Sequence, residues 1–219
     1  RSNDRGNHDV PQGGVFFLLN HSFMQGFTIN PALRLDWNER SGAELVPQVS
    51  MAYKLKSVRF RGSAGKTIRD ADFTERYNNY NKPSVASGRI GNPDLEAERS
   101  FSYEAGADYF AGKALKIGGT FFQRFHRKLI DYVTTSYADM PRKDNLVPGG
   151  TYALAKNIAK VNTSGAELDI QYQQKLQGDN NVYAGAGLVW LKSTSSEITP
   201  SFYVSSHARF MANFFVEYA

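Results

Sequence analysis

The sequence contains no cysteine, which excludes a disulfide-stapled scaffold, a thiolate zinc site and a cysteine nucleophile. No run approaches the roughly 18 apolar residues that a membrane helix requires, so a helical membrane protein is excluded too. Basic blocks are missing: 26 Lys and Arg against 21 Asp and Glu leave a charge of +5, spread along the chain rather than gathered into a patch that grips nucleic acid. Helical periodicity is nearly absent. Of the four histidines, His8, His21, His126 and His207, none has metal-ligand spacing to another. The pairs Gly13-Gly14, Gly118-Gly119 and Gly149-Gly150 lack the Lys-Ser/Thr that completes a phosphate loop. No nucleophile elbow surrounds a serine. No enzyme and no cofactor are therefore expected.

What is present is period-2 alternation over long stretches. Phe27, Ile29, Pro31, Leu33, Leu35 and Trp37 point one way, and Thr28, Asn30, Ala32, Arg34 and Asp36 the other. Leu45, Pro47, Val49, Met51 and Tyr53 oppose Val46, Gln48, Ser50, Ala52 and Lys54. The same pattern runs through Val58–Arg61, Phe101–Tyr109 and Gly165–Tyr172, and less cleanly through Val15–Phe23, Leu115–Phe125, Val182–Leu191 and Phe202–Phe215. These segments predict nine strands of about ten residues.

The connections alternate in length. Met24–Gly26, Lys54–Lys56, Ala111–Lys113 and Leu176–Asn181 are short, whereas Asn38–Glu44, Thr67–Arg99, Leu129–Asn162 and Ser193–Ser201 are long. That is the layout of an up-and-down barrel with tight turns at one rim and functional loops at the other. Loops above about 12–15 residues are rare in compact soluble domains. A ten-residue strand rising about 3.3 Å per residue and tilted about 45° spans roughly 23 Å, near the apolar height of an outer-membrane barrel. Tyr53, Tyr109, Phe110, Tyr172 and Tyr183 flank the short turns, and Trp37 and Trp190 lie toward the long loops, as in two aromatic girdles at headgroup depth. Arg34, Arg59, Arg61, Glu104, Asp108, Glu167 and Asp169 sit on the opposite faces, which predicts a watery lumen or a plug inside. The rival architecture is a soluble β-sandwich with one wet face. Nine strands are odd in number and would leave two edges in lipid. The chain opens at Arg1 and closes on an alternating segment, so it is expected to be one part of a longer barrel.

Gly91-Asn92-Pro93-Asp94-Leu95-Glu96-Ala97-Glu98-Arg99-Ser100 has a local rationale. Asn-Pro-Asp starts a turn, and the acidic pair precedes a strand. The segment resembles the N-P-x-L-x-x-E element of TonB-dependent outer-membrane receptors, in which it closes a large extracellular loop. Asn92, Pro93, Asp94, Leu95 and Glu98 carry that match. Pro47–Ser50 resembles the family's strand opening, Ser63–Lys66 the strand end before its large loop, and Thr74–Tyr77 its Glu-x-Tyr stretch. Asn157 followed by Gly165–Leu168 resembles the Asn…Gly-x-Glu element, and His207–Phe210 the strand start that follows. The resemblance covers residues 45–219. Ile68–Phe73 departs from it by lacking the family's proline, which leaves the ligand class open. Residues 69–80 are most similar to Bacteroidetes receptors, among them cobalamin and iron-chelate importers.

The resemblance implies an all-β fold: a transmembrane antiparallel up-and-down β-barrel, of which residues 1–219 form part of one domain. The whole barrel would have about 22 strands, with a plug domain and the remaining strands outside this chain. It also implies the bacterial outer membrane, uptake of a scarce nutrient (ferric siderophore, heme or cobalamin), and a list of partners. Those are outer-membrane lipid, TonB acting through the plug, the small-molecule nutrient and a surface lipoprotein, without nucleic acid. Candidate ligand residues are loop-borne: Tyr77, Asn78, Asn79, Tyr80 and Asn81 offer aromatic faces and amides, and Arg142 and Lys143 add positive charge in the second large loop. Mere packing on neighbouring loops is the competing role for them. Asp70, Asp72 and Glu75 suit turn capping better than a Ca²⁺ loop. The functional alternatives are a carbohydrate-binding sandwich and an outer-membrane barrel enzyme.

Overall fold

The structure, a computed structural model, describes residues 4–178, 180–195 and 208–219. Eleven strands form one sheet: β1 (Gln12–Leu18), β2 (His21–Phe23), β3 (Phe27–Asn38), β4 (Gly42–Leu55), β5 (Val58–Arg69), β6 (Arg89–Ile90), β7 (Glu98–Ala111), β8 (Leu115–Ser136), β9 (Thr151–Lys175), β10 (Asn181–Ser195) and β11 (Phe210–Tyr218). Nine of them follow one another as an antiparallel wall, β1-β3-β4-β5-β7-β8-β9-β10-β11. The wall is not closed within this chain, and among the described residues no second sheet covers either face, so the sandwich architecture is not the one formed.

The β1–β2 break has a chemical cause. One continuous strand over Val15–Phe23 is expected from the alternation, and both pieces do keep one register on β3. Between them Leu19 donates its N–H to the Pro31 carbonyl (3.0 Å), but proline has no N–H to return, and the ladder lapses there. The short turns close with left-handed residues, for example Gly112 (φ 62°) and Lys56 (φ 51°).

Register shows which residues share a face. Leu35 pairs with Leu45, Pro31 with Val49, and Phe27 with Tyr53. Across the next seams Tyr53 pairs with Phe60, Phe60 with Ala107, Tyr109 with Ile117, Ile117 with Ile170, and Ala186 with both Ile170 and Phe214. This face is apolar and bare: Leu35 is 43% exposed, Phe121 46% and Leu168 39%. The opposite face carries Arg59 and Arg61 around Asp108, with Arg59 donating at 3.0 and 2.8 Å and Asp108 only 1% exposed. Tyr53, Tyr109 and Tyr172 lie on the apolar face near the short-turn rim, and Trp37 and Trp190 on it near the other. Phe110 and Tyr183 depart from the expected girdle. Each sits one position out of phase with its girdle neighbour, so it points to the polar face, where Phe110 meets the Arg59 guanidinium at 5.9 Å.

Two connections differ from their predicted lengths. Asn38–Glu44 is a tight hairpin, since Asn38 already pairs with Gly42. Leu129–Asn162 is mostly strand: β8 runs 22 residues and β9 25 residues, and their connection is confined to 137–150. At about 3.3 Å per residue and 45° tilt, 25 residues reach ~58 Å, about twice the apolar height of a barrel wall. The distal halves therefore stand clear of the wall as a hairpin. Alternation fails there because both faces are covered: Leu129, Ile130, Val133, Leu154, Ala155 and Ile158 are all buried. The predicted connection Ser193–Ser201 and strand Phe202–Phe215 fall partly, and His207 wholly, outside the described residues; within them, strand pairing runs over Phe210–Tyr218.

A charge placed on the bare apolar face should be costly if hydrocarbon covers it. Leu168→Arg is expected to lower stability in lipid vesicles by about 2–4 kcal/mol, as read by denaturant unfolding; a near-zero change would contradict the outward assignment.

Candidate functional site

Above the wall, residues 70–97 fold against the projecting β8–β9 hairpin. The chain leaves β5 at Arg69, whose guanidinium grips Glu75 through two bonds (2.9 Å each) and Glu98 through a third (2.5 Å). The loop's two ends are thereby clamped together. Asp72 then caps the short helix α1 (Phe73–Tyr77): its carboxylate accepts from the Thr74 and Glu75 amides, and Glu75 reaches back to the Asp72 N–H. This is a capping box. Of the three acids, Asp72 and Glu75 thus serve turn and helix geometry, and Asp70 takes the buried Arg76 at 2.5 Å. Among the described residues no cluster of three His, Cys, Asp or Glu is arranged to hold a metal ion.

The Asn92–Glu98 motif stitches the loop to the hairpin. Gly91 lies where a Cβ would come within 2.5 Å of the backbone of Arg76, Tyr77 and Asn78, a close approach open only to glycine. Asn92 accepts the Asp94 amide on its side chain (3.0 Å), donates its amide group to the Ala155 carbonyl of β9 (3.2 Å), and donates its backbone N–H to Glu75 (2.9 Å). The Pro93 carbonyl accepts from Arg76 (2.6 Å). Leu95 is buried with Ala71, Ile130 and Ala155. Glu98 accepts the Ile130 N–H (2.9 Å) as well as Arg69. Asn157 completes the seam. Lys128 is left-handed (φ 56°), and the Asn157 amide donates to the Lys128 carbonyl (2.8 Å) and to Glu96 (2.9 Å) while accepting the Glu96 N–H (2.8 Å). A second cluster higher up joins Val85, Ile90, Met140, Leu146, Tyr152 and Leu154.

The two sets of ligand candidates, far apart in sequence, meet at this upper end. Arg142 lies 3.8 Å from the Tyr80 ring centroid and donates to the Tyr80 carbonyl (3.0 Å). Lys143 is exposed, donates to the Ala138 carbonyl (2.8 Å) and stands 5.4 Å from the Tyr137 ring. Asn81 is exposed, with its backbone N–H on Asp4 (3.0 Å). Tyr77 is buried. His8 stacks on it at 3.4 Å, and Arg40 donates to its hydroxyl at 2.9 Å. Asn78 and Asn79 both donate their side-chain amides to the Arg89 carbonyl (2.8 and 3.0 Å). Sequence reasoning missed His8, Arg40 and Arg76, since nothing local distinguishes a residue whose partners lie in another loop. Below them a cleft of about 520 Å³ is bounded by Arg40, Ser41, Asp70, Arg76, Arg99 and the stretch from Pro93 to Ala97. On the hairpin, burial first, and then the Glu75 carboxylate, push the Tyr132 phenol up from its ordinary value; its hydroxyl has no hydrogen-bond partner and Arg89 covers the ring at 5.0 Å.

A single antiparallel wall with a bare apolar face, a charged inner face and a packed lobe on one rim defines an outer-membrane barrel segment. Comparison with known proteins agrees. The family described as TonB dependent receptor-like, beta-barrel matches residues 1–219, and the chain belongs to that family. Its members are bacterial outer-membrane proteins. Among solved structures, the siderophore receptor PirA from Pseudomonas aeruginosa is 16% identical over 85% of this chain and 32% of its own, with a TM-score of 0.63. The FrpB iron transporter from Neisseria meningitidis is 17% identical over 85% of this chain and 26% of its own (TM-score 0.59). The RagAB peptide importer is 17% identical over 87% of this chain and 22% of its own (TM-score 0.62). The chain thus spans a third or less of the length of these neighbours, and the likeness is one of fold. No curated protein matches the sequence.

Arg76 ties helix α1 to both the loop entry and the motif while buried, so truncating it strands Asp70. Arg76→Met is expected to destabilise the lobe by about 3 kcal/mol or more. Hydrogen exchange should show lost protection across residues 72–97 and unchanged protection in β3 and β4; protection unchanged in the lobe would contradict the clamp.

Proposed function

We propose that this chain is wall and extracellular lobe of a TonB-dependent importer that takes up a scarce nutrient, a ferric siderophore, heme or cobalamin. The observation that carries the proposal is the lobe itself: two large loops, held on an extended hairpin by Asn92, Asn157, Arg76 and Glu98, present a fixed surface above a barrel wall. The names of the siderophore and iron-transporting neighbours favour the iron-chelate arm. Tyr80 and Arg142, with Asn81 and Lys143 beside them, are the contacts we assign to the nutrient. An aromatic face under a guanidinium suits a planar or anionic chelate. Tyr77, Asn78 and Asn79 shape the platform beneath them.

In this proposal residues 1–219 belong to one barrel domain, and the plug and the remaining strands lie elsewhere in the protein. TonB acts through the plug and draws on the proton gradient, and a surface lipoprotein is a candidate lid over the lobe. The wall satisfies its backbone groups in lipid and holds the loops at set spacing. The proposal assigns no bond-making chemistry to the chain.

The test is uptake of labelled ferric siderophore, heme and cobalamin by cells lacking the full receptor, complemented with wild type or with Tyr80→Ala/Arg142→Ala. Deletion should abolish uptake of one of the three. Wild type should restore it, and the double variant should restore about a tenth or less of it at equal surface level, since two anchor contacts of about 1 kcal/mol or more each are lost. Normal uptake of all three after deletion, or uptake that survives collapse of the proton gradient, would contradict the proposal.

A further inference from the structure

The upper end of the lobe divides its polar side chains into those spent inside and those left facing out. Most amides are spent. Asn78 and Asn79 donate to the Arg89 carbonyl, and Asn145 donates to the carbonyls of Asn79 (2.7 Å), Tyr80 (3.3 Å) and Lys82 (3.0 Å). Two phenols are spent as well, Tyr77 on Arg40 and Tyr152 on the Val85 and Val147 carbonyls. His8 lies flat on Tyr77, and its Nε2 is bonded to the Arg5 carbonyl (2.7 Å). These bonds knit the loop to the hairpin. They leave a ligand little neutral hydrogen-bonding surface beyond the exposed Asn81.

What faces out is cationic and backed by rings. The Arg142 guanidinium lies over Tyr80 with its side chain 35% exposed. The next residue, Lys143, is exposed and stands over the Tyr137 ring. Each cation is held from behind by a neutral acceptor, the Tyr80 carbonyl for Arg142 and the Ala138 carbonyl for Lys143. The hairpin end also carries two acids. Asp139 accepts the Ser136 hydroxyl (2.7 Å). Asp144 lies 3.5 Å from Arg142 but is 84% exposed, so water largely screens that pair.

A guanidinium stacked on one ring still presents a second flat face, and aromatic rings stack on guanidinium planes. An anionic aromatic ring gains charge and stacking there together. A neutral chelate gains neither. Heme iron takes an axial protein ligand, and His8 is already committed. A corrin edged with amides calls for amide partners that Asn78, Asn79 and Asn145 have spent.

We propose that the nutrient is a ferric chelate of the catecholate class, with one anionic aromatic ring on the outer face of the Arg142 guanidinium and a second against Lys143. This rests on the importer reading and narrows its nutrient to one chemistry. Tyr80 and Tyr137 back the two cations, and Asp144 gives way to the incoming anion.

The test uses the full-length receptor purified in detergent, with equilibrium binding read by titration calorimetry. The probes are the ferric complexes of a synthetic tricatecholamide and of desferrioxamine, ferric citrate, hemin and cyanocobalamin. The tricatecholate should bind about tenfold or more tightly than any other probe, and Arg142→Gln/Lys143→Gln should weaken it by about tenfold or more. Arg142→Lys keeps the charge without the flat face and should recover only part of that loss. Asp144→Asn should bind no more weakly than wild type. Another probe binding as tightly as the tricatecholate, or a double variant that binds it like wild type, would overturn the catecholate assignment and leave the importer reading standing. Binding of none of the five overturns the assignment too. Normal uptake of all five by cells lacking the receptor would then defeat the importer reading as well.

Discussion

A chain that crosses hydrocarbon has no water to satisfy its peptide groups, and each unpaired group there costs several kcal/mol. That constraint accounts for the long ladders of β3 to β5 and β7 to β10. It also frees the apolar side chains from their usual duty. In a soluble domain Leu35, Phe121 and Leu168 would be packed inside; here they stand exposed on one face of a wall, because the hydrogen-bonded ladder holds the wall and lipid is the solvent of that face. The opposite face keeps whole charges, such as Asp108 between Arg59 and Arg61.

With the wall's apolar residues turned outward, the conventional core appears elsewhere. Most of the deeply buried hydrophobic residues, including Ile90, Leu95, Ile130, Met140, Tyr152, Leu154 and Ala155, lie in the lobe above the rim. The molecule therefore answers to two solvents along one chain. Between β7 and β9 the changeover falls near Lys128, a left-handed residue whose carbonyl accepts the Asn157 amide. The family motif has its physical meaning at this boundary. Asn92, Leu95 and Glu98 each fasten the loop to the hairpin by a different means: a side-chain amide, a buried methyl cluster and a carboxylate.

The wall was legible in the sequence because period 2 is a local signal and one face was apolar throughout, as in Phe27–Trp37. The lobe was less so. Leu129–Ile130 and Tyr152–Ala155 read as loop because both of their faces are covered and alternation vanishes. Asn38–Glu44 read as a long connection because its polar residues resemble a loop, yet they pair almost to the turn. Phe110 and Tyr183 were assigned by proximity to a turn, and one step of phase moved them to the inner face. The loop candidates were found by composition, but their division into platform and surface depends on His8, Arg40 and Arg89, which reach them from other parts of the chain.

Depth-dependent quenching of Trp37 and Trp190 tests the central claim most directly. In the full receptor reconstituted with lipids brominated at shallow or deep acyl positions, the signal lost on Trp37→Phe or Trp190→Phe should be quenched, and more by the shallow label than by the deep one. Tryptophan signals that neither label quenches, but that an aqueous quencher reaches freely, would contradict the account.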